Sequence, residues 1–367
     1  MEYFPIWYLI IVISFFFILF SYINYSHKPE ILNNIFGFGS LFFVFAQIII
    51  FLLLMNQDIG LRSFFVPLFL MVLGIPLAIV AMLIIVSTSV VSFSNRVLKK
   101  DVSKLSIKLE EKRKNWSKAK KDTLRKLNHV LIFFGLLLVW YTGLFVVDFF
   151  TNTSAGMIPE ENNMLLLYIR IINEPNSIND VLFSLGWFYY LLFFFFYTLS
   201  LFMLANEFAR KSRNFSFPFT IFPKIYLSNE ERENYGTYLY FAIGQMFAAF
   251  ICPPMILFAI LGISSISDLM TSQFGIRFGK NHISWNQNKT WEGTLAGVVS
   301  TFLISFLFVG FFWALIFTII FLLLDILTNQ PFNVSDNLLI PIGCSLVYIF
   351  IRLIFDFNYS SIILQWF

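Results

Sequence analysis

Two cysteines, three histidines and a low share of charge limit what this chain can be. Cys252 and Cys344 both lie in apolar segments, so neither a disulfide framework nor a cysteine-built zinc site is expected. His27, His129 and His282 are scattered, with no metal-ligand spacing among them. Charged residues make up 13% of the chain, whereas soluble domains carry about 25%. No internal repeat is visible, which argues against the paired halves of many transporters. What is present in abundance is apolar: 58% of residues are hydrophobic and Phe alone occurs 50 times in 367 residues. An integral membrane protein follows from that balance.

A membrane helix needs roughly 20 predominantly apolar residues. Such runs occur at about 3–22, 32–55, 64–93, 128–149 and 181–206. The first lacks the small-residue cleavage pattern of a signal peptide and is read as a helix of the mature protein. The run from Tyr238 to Ile266 is long enough for a hairpin broken at Cys252-Pro253-Pro254, because consecutive prolines interrupt the helical hydrogen-bond ladder. One long tilted helix is the alternative. Segments near 294–309, 311–327 and 338–355 complete the set, with Gly310 the expected turn between the first two. The expected fold is all-α, a polytopic transmembrane bundle of about 8–10 helices.

Orientation follows from the cations. If 95–128 is cytoplasmic and the helices alternate, one side holds every Lys and Arg except Arg62, Arg170 and Arg352. The positive-inside rule makes that side cytoplasmic. Between Arg96 and Lys126 the basic residues outnumber the four carboxylates heavily, and Leu98, Val102, Leu105 and Leu109 recur at helical spacing. This segment is either an amphipathic helix on anionic headgroups or a solvated loop. The chain divides into an N-terminal three-helix membrane unit (1–95), the basic cytoplasmic segment (96–127) and a larger membrane domain (128–367).

Polar chemistry concentrates between Asp268 and Gly293, where two carboxylates, Arg277, Lys280, Lys289 and the glycines Gly275, Gly279 and Gly293 interrupt the apolar pattern. A carboxylate for a metal, glycines that admit phosphate oxygens and lysines that neutralise charge are what phosphoryl chemistry requires. Asp268 follows the apolar run ending at Ile266 and is placed at a helix C-terminus, where its charge opposes the helix dipole. The bland alternative is an N-cap for a helix starting at Leu269. The two glycines before Lys280 are three residues apart and Asn281 follows the lysine, so this is not a Walker A loop. Lys289, Thr290 and Glu292, with Gly293 opening the next membrane helix, give them weight. Lys280 and Lys289 would pair with phosphates on free helix N–H groups, and an interfacial ion pair with Thr290 as an N-cap is the structural alternative.

Further along, Asp336 before an apolar helix is either a cap or a second carboxylate of the site, with Asn337 as a polar contact. Asp325, about a turn inside the end of the preceding helix, is costly at membrane depth and is expected to have a role. Arg125 and Lys126 are read as headgroup contacts or site cations. His129 lies on an apolar helix face. Glu207 and Arg210 close a helix with an expected ion pair.

Four patches in order carry a resemblance: Arg125-Lys126-Leu127-Asn128-His129, Glu233 with Gly236 and Gly244, the Asp268–Gly293 stretch, and Asp336-Asn337-Leu338-Leu339-Ile340-Pro341. Together they resemble the CTP-dependent polyprenol kinase family, which includes dolichol kinases, phytol kinases and CTP-dependent diacylglycerol kinases. The likeness runs over about 122–355. Ser267 and Thr271 stand where that family has glycine and a small residue, and Asp325 stands where it often has Glu. The resemblance implies a lipid kinase using CTP and Mg²⁺, with a multi-pass location in a prokaryotic plasma membrane or the endoplasmic reticulum. Asp268, Lys289, Glu292 and Asp336 would be catalytic, and Asp268 and Asp325 would hold the metal. Gly275, Gly279, Lys280, Thr290, Gly293 and Asn337 would contact the nucleotide, with Arg125, Lys126 and His129 nearby. Expected partners are a lipid alcohol, a nucleotide and the membrane, without nucleic acid and with a homodimer left open. A CTP-dependent cytidylyltransferase is the nearest alternative, but no Lys, Arg or His occurs between Lys289 and Arg352 to serve its downstream motifs. A transporter or scaffold is the non-enzymatic alternative.

Overall fold

The computed structural model describes residues 115–151, 186–211, 235–328, 334–355 and 357–363, with isolated positions before them. The three-helix unit expected over 1–95, most of the basic segment and Glu233 lie outside the described residues, while Gly236 and Gly244 of the same patch fall within them. Within them the chain is helical apart from one short hairpin: α1 (Lys118–Thr151), α2 (Gly186–Lys211), α3 (Thr237–Ile251), α4 (Pro254–Gly262), a π turn (Ile263–Ser267), α5 (Asp268–Phe278), β1 (His282–Ile283), β2 (Asn286–Thr290), α6 (Trp291–Leu327) and α7 (Asp336–Phe355). Helices within α1, α4–α5, α6 and α7 are long and apolar enough to cross a membrane, and α3 is a shorter apolar helix. The protein is an all-α polytopic membrane protein.

Local chemistry sets the ends of these elements. Ser117 accepts a hydrogen bond from the Lys120 N–H at 3.2 Å and caps α1. Pro253 and Pro254 stop α3 and start α4, where a missing N–H costs nothing. The chain then reverses: Met255 is reached by the Ser361 hydroxyl beyond the end of α7 at 3.5 Å, whereas Phe241 before the prolines stacks on His129 and Asp268 after them bonds Lys126, one turn from His129 on α1. The expected hairpin at Cys252-Pro253-Pro254 is therefore present.

Gly310 makes a second reversal. Its φ of 82° and ψ of 177° break α6 into limbs 291–309 and 311–327, in a backbone region that only glycine enters freely. Thr294 and Asp325 are 31 residues apart and hydrogen-bonded at 2.6 Å. A straight helix would hold them about 46 Å apart. At the turn, a Cβ on Gly310 would meet Ser360 O at 2.7 Å, and Trp313 Nε1 donates to Asn358 O at 3.2 Å nearby.

The first limb of α6 inverts the polarity of a soluble helix. Leu295, Val299, Leu303 and Leu307 are exposed, while Gly293, Gly297, Thr301 and Ser305 are buried. Apolar outside and small or polar inside is the pattern of a helix packed within lipid. The buried stripe lies against α5: a Cβ on Gly293 would sit 2.6 Å from Thr271 O, and one on Gly297 would sit 2.8 Å from Phe321 and collide with the Thr271 hydroxyl. Gly297→Val is expected to force these limbs apart and to destabilise the protein by about 1–3 kcal/mol, read as a lowered melting temperature in detergent. An unchanged melt would mean that the crossing relaxes freely.

Candidate active site

Every functional candidate near the start of α1, α6 and α7 lies at one end of the bundle, because α1, the first limb of α6 and α7 leave that end while α4–α5 and the second limb of α6 return to it. Lys126 on α1 and Asp268 on α5 are 142 residues apart and form a buried pair: Lys126 Nζ donates to Asp268 Oδ1 at 2.7 Å and to the Asp268 carbonyl at 2.9 Å. Asp268 Oδ2 is buried and has no hydrogen-bond partner among the described residues. The expectation that Asp268 ends a helix or caps one is corrected. It sits inside one continuous helical run from Pro254 to Phe278, directly after the π turn, a local widening that often marks functional positions.

Lys289, on β2, is the second cation. Its Nζ contacts Asp325 Oδ1 at 2.5 Å and Asp336 Oδ2 at 3.4 Å, joining the end of α6 to the start of α7. Asp325 is 1% exposed on its side chain, and its other oxygen accepts from the Thr294 hydroxyl at 2.6 Å. Burial works against the charge of Lys289, but Asp325, then Asp336 and Asp268, outweigh it and raise the ammonium above the ordinary lysine value. A raised folded pKa means that the stabilisation is complete below the unfolded value, about 10.4, and is lost as pH rises through the folded one. The melting temperatures of wild type and Lys289→Met should thus differ by a constant amount from pH 7 to 9 and converge only above about pH 10.4. Convergence already near neutrality would show that the ammonium is not held.

The residues around these pairs divide. Asp336 Oδ1 accepts the Asn337 N–H at 2.9 Å, so Asp336 closes the start of α7 as well as holding Lys289. Asn337 Oδ1 is buried without a partner among the described residues. His129, one turn beyond Lys126, stacks on Phe241 of α3 with ring centroids 3.8 Å apart. Arg125 pairs with Asp122 at 3.0 Å, partly exposed. Asp122, which sequence reasoning passed over, also accepts from Ser272 and Gln273 of α5 and so ties α1 to that helix.

The three glycines of this stretch, Gly275, Gly279 and Gly293, lie where the start of α6 meets α5. The Gly279 N–H bonds Gly275 O at 3.1 Å, and the Gly293 N–H is taken by the Thr290 hydroxyl at 3.3 Å, making Thr290 the N-cap of α6. A Cβ on Gly275 would lie 3.1 Å from Thr290 Oγ1. The glycines admit α6 close against α5, as small residues spaced by four do between membrane helices. Lys280 is exposed beyond the end of α5, apart from the buried pairs. Glu292 faces the turn before β1 instead, accepting from Asn281 N at 3.2 Å and Asn281 Nδ2 at 2.8 Å.

The short hairpin carries Lys289 inward. His282 pairs with Thr290 and Ile283 with Asn286. Asn286, fully buried, donates to Thr328 O at 2.6 Å and Ile326 O at 3.3 Å, satisfying carbonyls at the end of α6. No motif pointed to Asn286; its signal is an asparagine in the one strand long enough to reach back to that helix end.

Three carboxylates, Asp268, Asp325 and Asp336, face two lysines, leaving one negative charge in excess. No group of three or more His, Cys, Asp or Glu side chains among the described residues converges on a metal position. An all-protein metal cage is therefore not what this centre offers. Magnesium sites in general use one or two carboxylates together with substrate phosphates, and the open oxygen of Asp268 is of that chemical type. Asp325, with both oxygens committed, serves as the anchor of Lys289 in this arrangement.

No family model matches the chain, and no solved structure matches it. Among curated proteins it is similar to a phytol kinase from Synechocystis sp., 29% identical over 156 residues, which cover 39% of this chain and 65% of that protein. The chain thus spans just under two thirds of the length of the curated relative it matches. At the level of the family, that similarity supports the resemblance of the chain to the polyprenol and phytol kinases.

Proposed function

We propose that the protein transfers the γ-phosphoryl group of CTP to the hydroxyl of a membrane lipid alcohol, at the cytoplasmic end of the bundle. The observation that carries this is Asp268: a buried carboxylate with one oxygen fixed by Lys126 and the other unengaged, beside a second lysine held between two further carboxylates. Phosphoryl transfer needs little covalent chemistry from a protein and much positioning and charge compensation. In the reaction the alcohol proton passes to Asp268 Oδ2. The alcohol oxygen bonds to the γ-phosphorus, the bond from that phosphorus to the β–γ bridging oxygen breaks, and CDP departs.

Lys126 and Lys289 supply the positive charge that faces the phosphates. Asp325 and Asp336 hold Lys289 at the inner end of β2, and Thr294 fixes Asp325. Asp268 Oδ2 is a single open oxygen, so it would serve either as this base or as a protein ligand of Mg²⁺, and in the second case the ion would supply neutralisation of the phosphate charge. The acceptor is an isoprenoid alcohol, a polyprenol or a diacyl- or diether-glycerol, the first favoured by the similarity to a phytol kinase.

The test is purified protein in detergent with Mg²⁺, phytol, polyprenol and diacylglycerol, and CTP labelled at the γ- or the α-phosphate. γ-Label in lipid is the expected result. α-Label in lipid after addition of a phospholipid acid would convert the reading to cytidylyl transfer, and no label in any lipid would overturn both.

A further inference from the structure

Gln245 lies in α3, where every residue from Leu239 to Ala249 is buried. The side chain is 0% exposed, and neither Nε2 nor Oε1 finds a hydrogen-bond partner among the described residues. An amide in that state is rare, because buried polar groups are almost always paired and an unpaired one keeps its full desolvation cost. Two observations fix its level in the bundle. Its neighbour Gly244 lies against the chain at Asn337, where an added Cβ would be 2.8 Å from the carbonyl oxygen. One turn earlier, Phe241 stacks on His129, itself one turn from the lysine that holds Asp268.

Gln245 therefore lies on the α3 wall beside the first turn of α7, about two turns inward of the lysine that holds Asp268. Asp268 Oδ2, Asn337 Oδ1 and His129 Nδ1, from α5, α7 and α1, are also buried and unpartnered among the described residues. Ionised Asp268 Oδ2 and Asn337 Oδ1 only accept, and His129 Nδ1 accepts or donates with its tautomer. The Gln245 amide can donate, as can the hydroxyls of Ser265, Ser267 and Thr271, which are unpaired among the described residues. A phosphate or carboxylate head only accepts and suits such a set poorly. A hydroxyl both donates and accepts, and it carries no charge into an apolar bundle.

We propose that Gln245 binds the hydroxyl of the acceptor alcohol, donating from Nε2 to its oxygen so that the O–H is presented to a carboxylate, and that it sets the preference for an alcohol over an anionic lipid head. This rests on the kinase reading of the centre for its consequence in turnover, although binding can be measured apart from it.

The experiment uses the full chain in detergent and the variant Gln245→Met, which keeps length and removes the amide. Binding of a fluorescent long-chain primary alcohol is measured without nucleotide, alongside KM for phytol and for CTP and the melting temperature. The expected result is alcohol affinity weakened about tenfold or more, as for loss of a buried hydrogen bond to substrate. KM for phytol rises with it, KM for CTP is unchanged, and the melting temperature does not fall, because an unpaired amide has been removed. Gln245→Asn, which keeps the amide but withdraws it, should lie between. Alcohol affinity equal to wild type in Gln245→Met, or no alcohol binding by wild type, overturns the proposal. Alcohol binding that Gln245→Met abolishes in a protein that transfers no phosphate upholds it and overturns the kinase reading instead.

Discussion

Asp268→Asn lowers phosphoryl transfer by about 10²- to 10⁴-fold, the usual contribution of a positioned acid or base. Asparagine keeps the shape of the side chain and an oxygen that can accept from Lys126, whose Nζ lies 2.7 Å from Asp268 Oδ1 in the wild type. It cannot take a proton from the alcohol, and it binds a divalent ion weakly. The Lys126 ammonium also loses its charge partner at a position where its side chain is 8% exposed, so part of the effect on yield will be structural. Single-turnover transfer from γ-labelled CTP measures the chemical step, and CTP binding to the same preparation shows whether the centre has kept its form. A variant that binds CTP but transfers slowly fits the assignment. Full single-turnover activity in Asp268→Asn would falsify the role of this carboxylate in the chemistry.

Lys289→Met should disable the protein by a second route, through folding as well as charge. The substitution leaves Asp325 and Asp336 facing each other with the bridging cation gone. Breaking a buried pair by removing one partner costs about 3–5 kcal/mol, because the remaining charge stays desolvated. For a marginally stable protein that is a large share of the whole. The double variant Lys289→Met/Asp325→Leu removes the more deeply buried carboxylate along with the lysine, leaving Asp336 with the Asn337 N–H, and should recover part of the melting temperature. It should not recover transfer, since the cation that faces the phosphates is still missing. Recovery of both would reduce Lys289 to a structural residue, and failure to recover either would place the effect elsewhere in the fold.

Both substitutions act at positions that the sequence singles out, yet the partners that make them important are not adjacent in sequence. Lys289 was legible as a cation beside Thr290 and Glu292, and the motif grouped the three. The structure separates them. Lys289 turns inward to Asp325 and Asp336, Thr290 caps α6, and Glu292 holds Asn281 at the turn before the hairpin. Alternation along the short strand and the first turn of the following helix sends neighbouring side chains to different surroundings. A linear motif carries no record of which is which. The same holds for Gly275 and Gly279, whose spacing suits both a phosphate loop and a close helix crossing; in the structure both lie against Thr290 at the start of α6.

Whereas the choice between a hairpin and one long tilted helix at the prolines was left to the structure, membrane insertion, helical character, the break at Cys252-Pro253-Pro254 and the turn at Gly310 were legible in the sequence. Each depends on local properties: apolar length, proline's missing donor and glycine's access to positive φ. The ordered polar patches likewise marked which ends of the helices carry chemistry. Tertiary structure alone decided that Lys126 holds Asp268, that Asp325 anchors Lys289 instead of standing free, that Asn286 ties the hairpin to the end of α6, and that Gln245 is a buried, unpaired amide among the described residues. These pairings join residues up to 142 positions apart. They are fixed by which helix faces meet in the bundle, and a buried charge or amide acquires its meaning only from the groups that packing places beside it.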